Sequence, residues 1–362
     1  MASRNGSLLI TLATGAVLVG AMIGAFATGI VAKDDPKAEL GSCAAYSGLP
    51  SEGGDTAGMT FVPAGTFTMG SDQHQPEERF THLARVDGFW IDRHEVTNAQ
   101  FKKFVEATGY VTLAERPVDP KSHLDWPQEM LVPGSIMFVP PKDARGEDGR
   151  WWQYVAGANW RQPSGPGSSI AGKENHPVVH IAYDDALAYA QWLGRSLPTE
   201  AQWEFAARGG RDGEDDWSSA FDSEGKPIAN SWQGIFPVLN TNDDGYAETA
   251  PVGCFPPNGY GLYDMIGNVW EWTSDWYRSS HSKAAAINPT GPELISLRVA
   301  PGQTGSRVIK GGSYLCSMNY CSRYRPAARQ PQESDLSATH LGFRTVLNKP
   351  GGGVSPSFKA TE

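Results

Sequence analysis

Gly311-Gly-Ser-Tyr-Leu-Cys-Ser-Met-Asn-Tyr-Cys-Ser-Arg-Tyr-Arg-Pro-Ala-Ala-Arg329 places two cysteines, Cys316 and Cys321, behind a glycine pair and ahead of three arginines. A zinc knuckle or a thioredoxin-type redox pair needs two intervening residues, so this spacing fits neither. On an α-helix, residues i and i+5 point about 140° apart, and the sulfurs meet only if the segment is a loop or an irregular turn. Gly311 and Gly312 permit unusual backbone angles and close approach of another stretch of chain. Arg323, Arg325 and Arg329 either favour a thiolate or hold an acid from elsewhere in the fold. Three readings stay open for the pair: a disulfide staple, a two-thiolate site for a soft ion such as Cu(I), and two unrelated buried thiols.

Outward from that stretch, most of the chain reads as loops punctuated by short elements. Gly58 to Gly70 predicts two short strands around the turn Pro63-Ala-Gly65. Glu95 to Gly109 predicts a helix: Thr97 and Gln100 make a capping box, Phe101, Phe104 and Val105 form the apolar stripe, and Gly109 ends it. Asp184-Asp185 opens a second helix that ends at Gly194, and Thr199 with Gln202 caps a third before Gly209-Gly210; these two are expected to lie antiparallel. Arg116 to Gly172 keeps no period and is expected to be long ordered loops. His176 and His180 are separated by Pro177, which rules out a shared helix face, so each is expected to be a satisfied structural histidine rather than a metal ligand.

Twelve tryptophans beside 41 glycines and 26 prolines describe a loop-rich α+β fold held by large aromatic packing units. A net charge of −10 with no basic arm excludes a nucleic-acid partner. Leu8 to Ala32 is uncharged and apolar, long enough to cross a bilayer, so residues 1–33 read as a membrane anchor or a signal peptide; either one exports the domain. Leu40-Gly-Ser-Cys43 resembles a lipidation site, but the charged run Lys33 to Glu39 separates it from the apolar segment. Residues 34–57 read as a tether, 58–347 as a single domain, and 348–362 as a frayed tail.

The string Arg307-Val-Ile-Lys-Gly-Gly-Ser-Tyr-Leu-Cys316, with Tyr320-Cys321-Ser-Arg-Tyr-Arg325 and Leu341-Gly-Phe-Arg344, resembles the formylglycine-generating enzymes, the sulfatase-modifying factor family. Gly58 to Gly70, Glu95-Val-Thr-Asn98, Pro177-Val-Val-His180, Leu197-Pro-Thr-Glu-Ala-Gln-Trp-Glu204 and Asn258 to Trp272 extend the resemblance from about Gly58 to about Val346. It implies a single-domain fold related to the C-type lectins. The activity implied is oxidation, by O2 and with a thiol reductant, of the cysteine in a Cys-x-Pro-x-Arg motif of an unfolded sulfatase to Cα-formylglycine.

Carried over residue by residue, the resemblance implies that Cys316 and Cys321 hold Cu(I) in a near-linear arrangement which the substrate thiol joins. Ser313, Trp270 and Tyr320 are expected around an oxygen pocket. It also implies two structural Ca²⁺ ions. The first would use the Asn230 and Asp244 side chains with the carbonyls of Ser231 and Tyr246; the second, the Asp264 and Glu271 side chains with the carbonyls of Gly267 and Val269. Asp264 stands where relatives often have Asn, an exchange that keeps an oxygen and adds charge. Cysteines that staple some relatives are replaced by Pro326 and Thr345, so Cys254 is expected to be a buried free thiol. The alternative to an enzyme is a calcium-stabilised binding module of the same fold in which Cys316 and Cys321 form an inert disulfide. An iron-dependent sulfoxide synthase of this fold would need a histidine cluster, and the eight histidines include no His-x3-His helix.

Overall fold

The computed structural model describes residues 54–120, 126–141, 151–212, 220–297 and 304–348. The apolar run Leu8 to Ala32, the Leu40-Gly-Ser-Cys43 string, most of the tether and nearly all of the tail lie outside the described residues. Among the described residues no helix is long and apolar enough to cross a membrane.

Strands β1 (Met59–Val62) and β2 (Gly65–Met69) flank the expected turn. They do not pair with each other. β1 joins β4 (Phe89–Asp92) and β14 (Val346–Asn348) in one antiparallel sheet, while β2 runs antiparallel to β3 (His82–Val86) and β10 (Ala286–Ile287) parallel to β3 in a mixed one. A third sheet has the order β12 (Arg329–Glu333), β11 (Ser306–Lys310), β9 (Trp270–Trp276), β13 (Leu341–Gly342). This sheet frames the cysteine segment, which leaves β11 at Lys310 and returns as β12 at Arg329.

Helix α1 (Asn98–Thr108) carries the expected capping box, and Gly109 closes it in the left-handed region at φ 68°. Helix α2 (Tyr183–Trp192) begins at the expected acidic pair, and α3 (Glu200–Arg208) repeats the Thr-x-x-Gln box. The expected pairing of α2 with α3 is not how the helices pack. Phe101 and Phe104 of α1 meet Tyr189 of α2 at 5.9 and 5.6 Å between ring centroids. In α3, Trp203 and Phe205 turn instead to a second core with Val62, Phe67 and Ile91. Each helix has one apolar face, and two separate cores compete for them.

Three other expectations are corrected. Within the stretch expected to be loop, β5 (Gly134–Phe138) and β6 (Trp152–Ala156) form an antiparallel hairpin. Its apolar residues run consecutively, so no alternation marks it. Cys254 is disulfide-bonded, not a free thiol. Residues 55–57 belong to the folded body rather than to a tether, because Arg195 Nη2 donates to the carbonyls of Asp55 and Ala57. The two histidines behave as expected: His180 is buried between Ser135 Oγ at 2.7 Å and the Pro163 carbonyl at 2.8 Å, and His176 meets Thr249. The Thr345 hydroxyl donates to Asp92 at 2.6 Å.

Candidate active site

The cysteine segment is a loop because its first two residues require it. Gly311 and Gly312 sit at φ 95° and 75°, where a side chain is strained. A Cβ on Gly312 would also stand 2.9 Å from the Arg323 carbonyl oxygen, so the chain folds back on itself at that point. The fold-back brings Cys316 Sγ and Cys321 Sγ to 2.8 Å, both as buried free thiols. The Cys316 amide donates to the Ser313 carbonyl at 2.9 Å, which holds the first cysteine on a tight turn.

The two sulfurs are not equivalent. Cys321 is pulled below the usual thiol value by the hydrogen bond it accepts from Cys316 and by the Arg323 guanidinium. Cys316 is pushed well up by burial first and then by its bond to Cys321. Of the two, Cys321 is therefore the sulfur that gives up its proton more readily. Arg323 is fixed by Glu77 through Nε at 3.1 Å and Nη2 at 2.5 Å. Arg325 is clamped bidentately on buried Glu78, and Arg329 on Glu200. So both sequence readings of the arginines hold: all three grip acids, and Arg323 also faces a sulfur.

Both cysteines open on a cavity of about 380 Å³ whose wall includes Ser313, Trp270 and Tyr320. Ser313 and Trp270 are buried and lie deep, and the Ser313 hydroxyl hydrogen-bonds the Cys316 sulfur. Tyr320 is different: it is 49% exposed and stacks on Phe236 at 4.2 Å, which puts it at the rim. Ile136, Trp152, Glu333 and His340 also line the cavity, and sequence reasoning missed all four. The hairpin β5–β6 delivers Ile136 and Trp152, and Trp152 packs on His340 at 4.7 Å. His340 had a positional signal, since it directly precedes the motif Leu341-Gly-Phe-Arg344.

The residues expected around calcium are brought together as two adjoining loops. Asp244 accepts from the amides of Ser231 and Tyr246 at 3.0 and 2.9 Å, and the buried Asn230 Oδ1 has no hydrogen-bond partner. In the second group, Asp264 Oδ1 is likewise buried without a partner. Glu271 is more committed than expected: Arg344 takes it bidentately at 2.7 Å and Trp203 Nε1 donates at 2.8 Å. Three bonds on two carboxylate oxygens leave a lone pair on Oε1. Burial, before any neighbouring charge, raises Asp264 to about 6. Glu95, Asp264 and Glu271 together face the single Arg344 guanidinium, and burial, then the neighbouring Asp264, pushes Glu95 well up, toward its neutral acid. Both loops support the cysteines, because the Trp232 amide donates to the Cys316 carbonyl and the Tyr314 amide to the Asn268 carbonyl, each at 2.9 Å.

Glu200, Glu204 and His281 are grouped like metal ligands, but Arg329, Arg208 and Lys310 already supply the cations. Burial is the largest influence and opposes their ionisation, yet the surrounding cations together outweigh it, Arg329 leading at Glu200 and Lys310 at Glu204, and hold both glutamates down at about 2. Beside them Asp275 is pushed up to about 7, by burial and then by Glu200. The native state thus keeps a proton on Asp275 between about pH 4 and 7 that the unfolded chain has lost, and stability falls as pH rises through that window. Asp275→Asn keeps the acceptor for the Glu200 amide and is expected to raise Tm by several degrees at pH 8, with the gain shrinking toward pH 4. A gain independent of pH in differential scanning fluorimetry would show that native Asp275 is already ionised.

Residues 47–349 match the sulfatase-modifying factor enzyme 1-like domain. The chain is 48% identical over 297 residues to the formylglycine-generating enzyme of Mycobacterium tuberculosis, covering 80% of this chain and 98% of that protein. It is 46% identical to the mouse formylglycine-generating enzyme, over 80% of this chain and 75% of that one. Among solved structures, PvdO from Pseudomonas aeruginosa aligns with a TM-score of 0.53 at 25% identity, covering 82% of this chain and 98% of that one. With the motif strings, the loop-rich fold and a domain match over more than four-fifths of its length, this chain belongs to the sulfatase-modifying factor family.

Proposed function

We propose that this protein converts the cysteine of a Cys-x-Pro-x-Arg motif in an unfolded sulfatase polypeptide to Cα-formylglycine, with O2 as oxidant and Cu(I) held by Cys316 and Cys321. The observation that carries this reading is the pair of free thiols, one biased toward thiolate, in the wall of an open cavity. Two soft sulfurs suit Cu(I) better than the harder, more abundant ions. The two sulfurs, 2.8 Å apart, would have to separate for both to bind one ion. When bound, Cu(I) supplies one-electron chemistry toward O2 and affinity for a further thiolate.

The remaining work falls to the chain. Arg323 favours the thiolate of Cys321, and the Ser313 hydroxyl orients Cys316. Trp270, Ile309 and Leu315 keep the inner wall dry, while Gln330, Gln332 and Glu333 offer polar contacts to a peptide backbone or to a substrate arginine. Turning the substrate CH2–SH into CHO with release of sulfide yields two electrons, and reducing O2 to water takes four. A thiol reductant must supply the other two. The reaction is tested by mass spectrometry of a sulfatase peptide incubated with the purified domain, copper, reductant and air. The expected product has lost sulfur and two hydrogens and gained one oxygen; an unchanged mass under those conditions would overturn the reading. The binding-module alternative requires a Cys316–Cys321 disulfide, and the free thiols at both positions support the enzyme reading instead.

Calcium at the two loops fits the orphaned Asn230 and Asp264 oxygens, and its role would be to hold the loops that carry the cysteines. A chelator is expected to lower Tm by several degrees, with recovery on adding Ca²⁺ but not Mg²⁺, which demands a tighter octahedral shell. A Tm unmoved by chelator would remove both ions from the account. The domain is proposed to work outside the cytoplasm, delivered there by the apolar segment Leu8 to Ala32.

A further inference from the structure

Beside the cysteine cavity lies an apolar surface that the chemistry above does not use. Strands β7 (Gly234–Ile235) and β8 (Leu239–Asn240) form a short hairpin in which Ile235 pairs directly with Leu239, so their side chains share one face. They are 58% and 52% exposed, and Val238 in the turn is also exposed. Met318 and Tyr320, on the loop between the cysteines, add two more exposed apolar side chains. Single exposed apolar residues carry no meaning, but five on two adjoining segments do.

The two segments are fastened to each other. Phe236 stacks on Tyr320 with ring planes 11° apart, and Trp151 packs edge-on against both rings at 5.9 and 6.1 Å. The Phe236 amide donates to Asn319 Oδ1 at 3.3 Å, and Trp232 Nε1 donates to the Leu239 carbonyl at 2.9 Å. Because Phe236 and Trp232 already fill the space beneath the hairpin, Ile235 and Leu239 have no interior to turn into. Tyr320 continues the surface into the cavity that holds Cys316 and Cys321.

We propose that Ile235, Val238, Leu239 and Met318 form a docking surface for apolar side chains of the substrate polypeptide flanking its reacting cysteine. The proposal rests on the reading that the substrate is an unfolded protein. Such a chain exposes the apolar side chains that folding would bury, and the surface is continuous with the cavity where its cysteine must enter. Recognition here would favour unfolded over folded clients without reading a sequence.

The test uses the full-length protein and its Ile235→Ser/Leu239→Ser variant, both changes being on exposed positions that leave the fold intact by Tm. Three fluorescent peptides are compared: the bare Cys-x-Pro-x-Arg core, and the core extended by a leucine-rich segment on either the N-terminal or the C-terminal side. Fluorescence anisotropy reads affinity, and mass spectrometry reads turnover. One extended peptide is expected to bind wild type about tenfold more tightly than the core, as half-burying two aliphatic side chains implies, and to lose that advantage in the variant. Turnover of the core peptide is expected to be unchanged. Equal affinity for all three peptides, or an advantage that survives in the variant, would overturn the docking surface. Failure of wild type to modify the core peptide would instead strike the catalytic reading, and anisotropy would still decide the surface.

Discussion

Replacing either Cys316 or Cys321 by serine is expected to lower conversion of a Cys-x-Pro-x-Arg peptide by about a thousandfold or more, while the fold survives. The hydroxyl fills nearly the same volume, so a thermal scan should shift by only a few degrees. A serine hydroxyl does not ionise near neutral pH and is a hard ligand, so the variant loses both an ionisable sulfur and the affinity for a soft ion. The loss should be the same for both positions despite their different surroundings, because a site built from two sulfurs does not half-work. Mass spectrometry of the peptide reads the product, and uptake of Cu(I) by the reduced protein reads the site separately. A variant that keeps more than about a tenth of the activity would end the two-thiolate account.

The second large effect is on stability. Arg325→Met would leave Glu78, which is fully buried, with both oxygens stripped of the guanidinium that now takes them at 2.8 and 2.5 Å. Breaking one side of a buried ion pair costs about 3–5 kcal/mol, because the remaining charge keeps its desolvation penalty and loses its partner. For a domain of this size that corresponds to a fall in Tm of roughly 10 °C. Activity should fall as well, since Arg325 lies in the segment returning from Cys321, and Glu78 adjoins the Glu77 that fixes Arg323. The same reasoning makes two contrasts. Lys102→Ala breaks only an exposed pair within α1 and is expected to cost under about 0.5 kcal/mol. Arg325→Met combined with Glu78→Met removes both charges and should recover most of the lost Tm. A double variant no more stable than the single one would show that the pair acts through something other than its buried charge.

Some of this architecture was legible along the chain, and the reason differs from element to element. The boxes Thr97/Gln100 and Thr199/Gln202, and the glycine ends of α1 and α3, involve hydrogen bonds spanning three or four residues, so local sequence specifies them. The hairpin β5–β6 was not legible. Ile136-Met137-Phe138 is an unbroken apolar run, packed on both sides, and carries no alternation to distinguish strand from loop. The helix pairing was missed for a similar reason. An apolar stripe says that a face is buried, not against what.

At the site, the sequence alone determined that two thiols lie too far apart for a knuckle, that glycines precede them and that arginines follow. Only the tertiary structure decided that the arginines reach Glu77, Glu78 and Glu200, more than a hundred residues distant, and that Cys321 rather than Cys316 has the thiol pulled down. It likewise decided that Trp152 and His340, far apart in the chain, wall the same cavity. The physical division is one of range. Backbone conformation and capping are set by neighbours in the chain, whereas burial and the choice of charge partner are properties of a space that exists only once distant segments have closed around it.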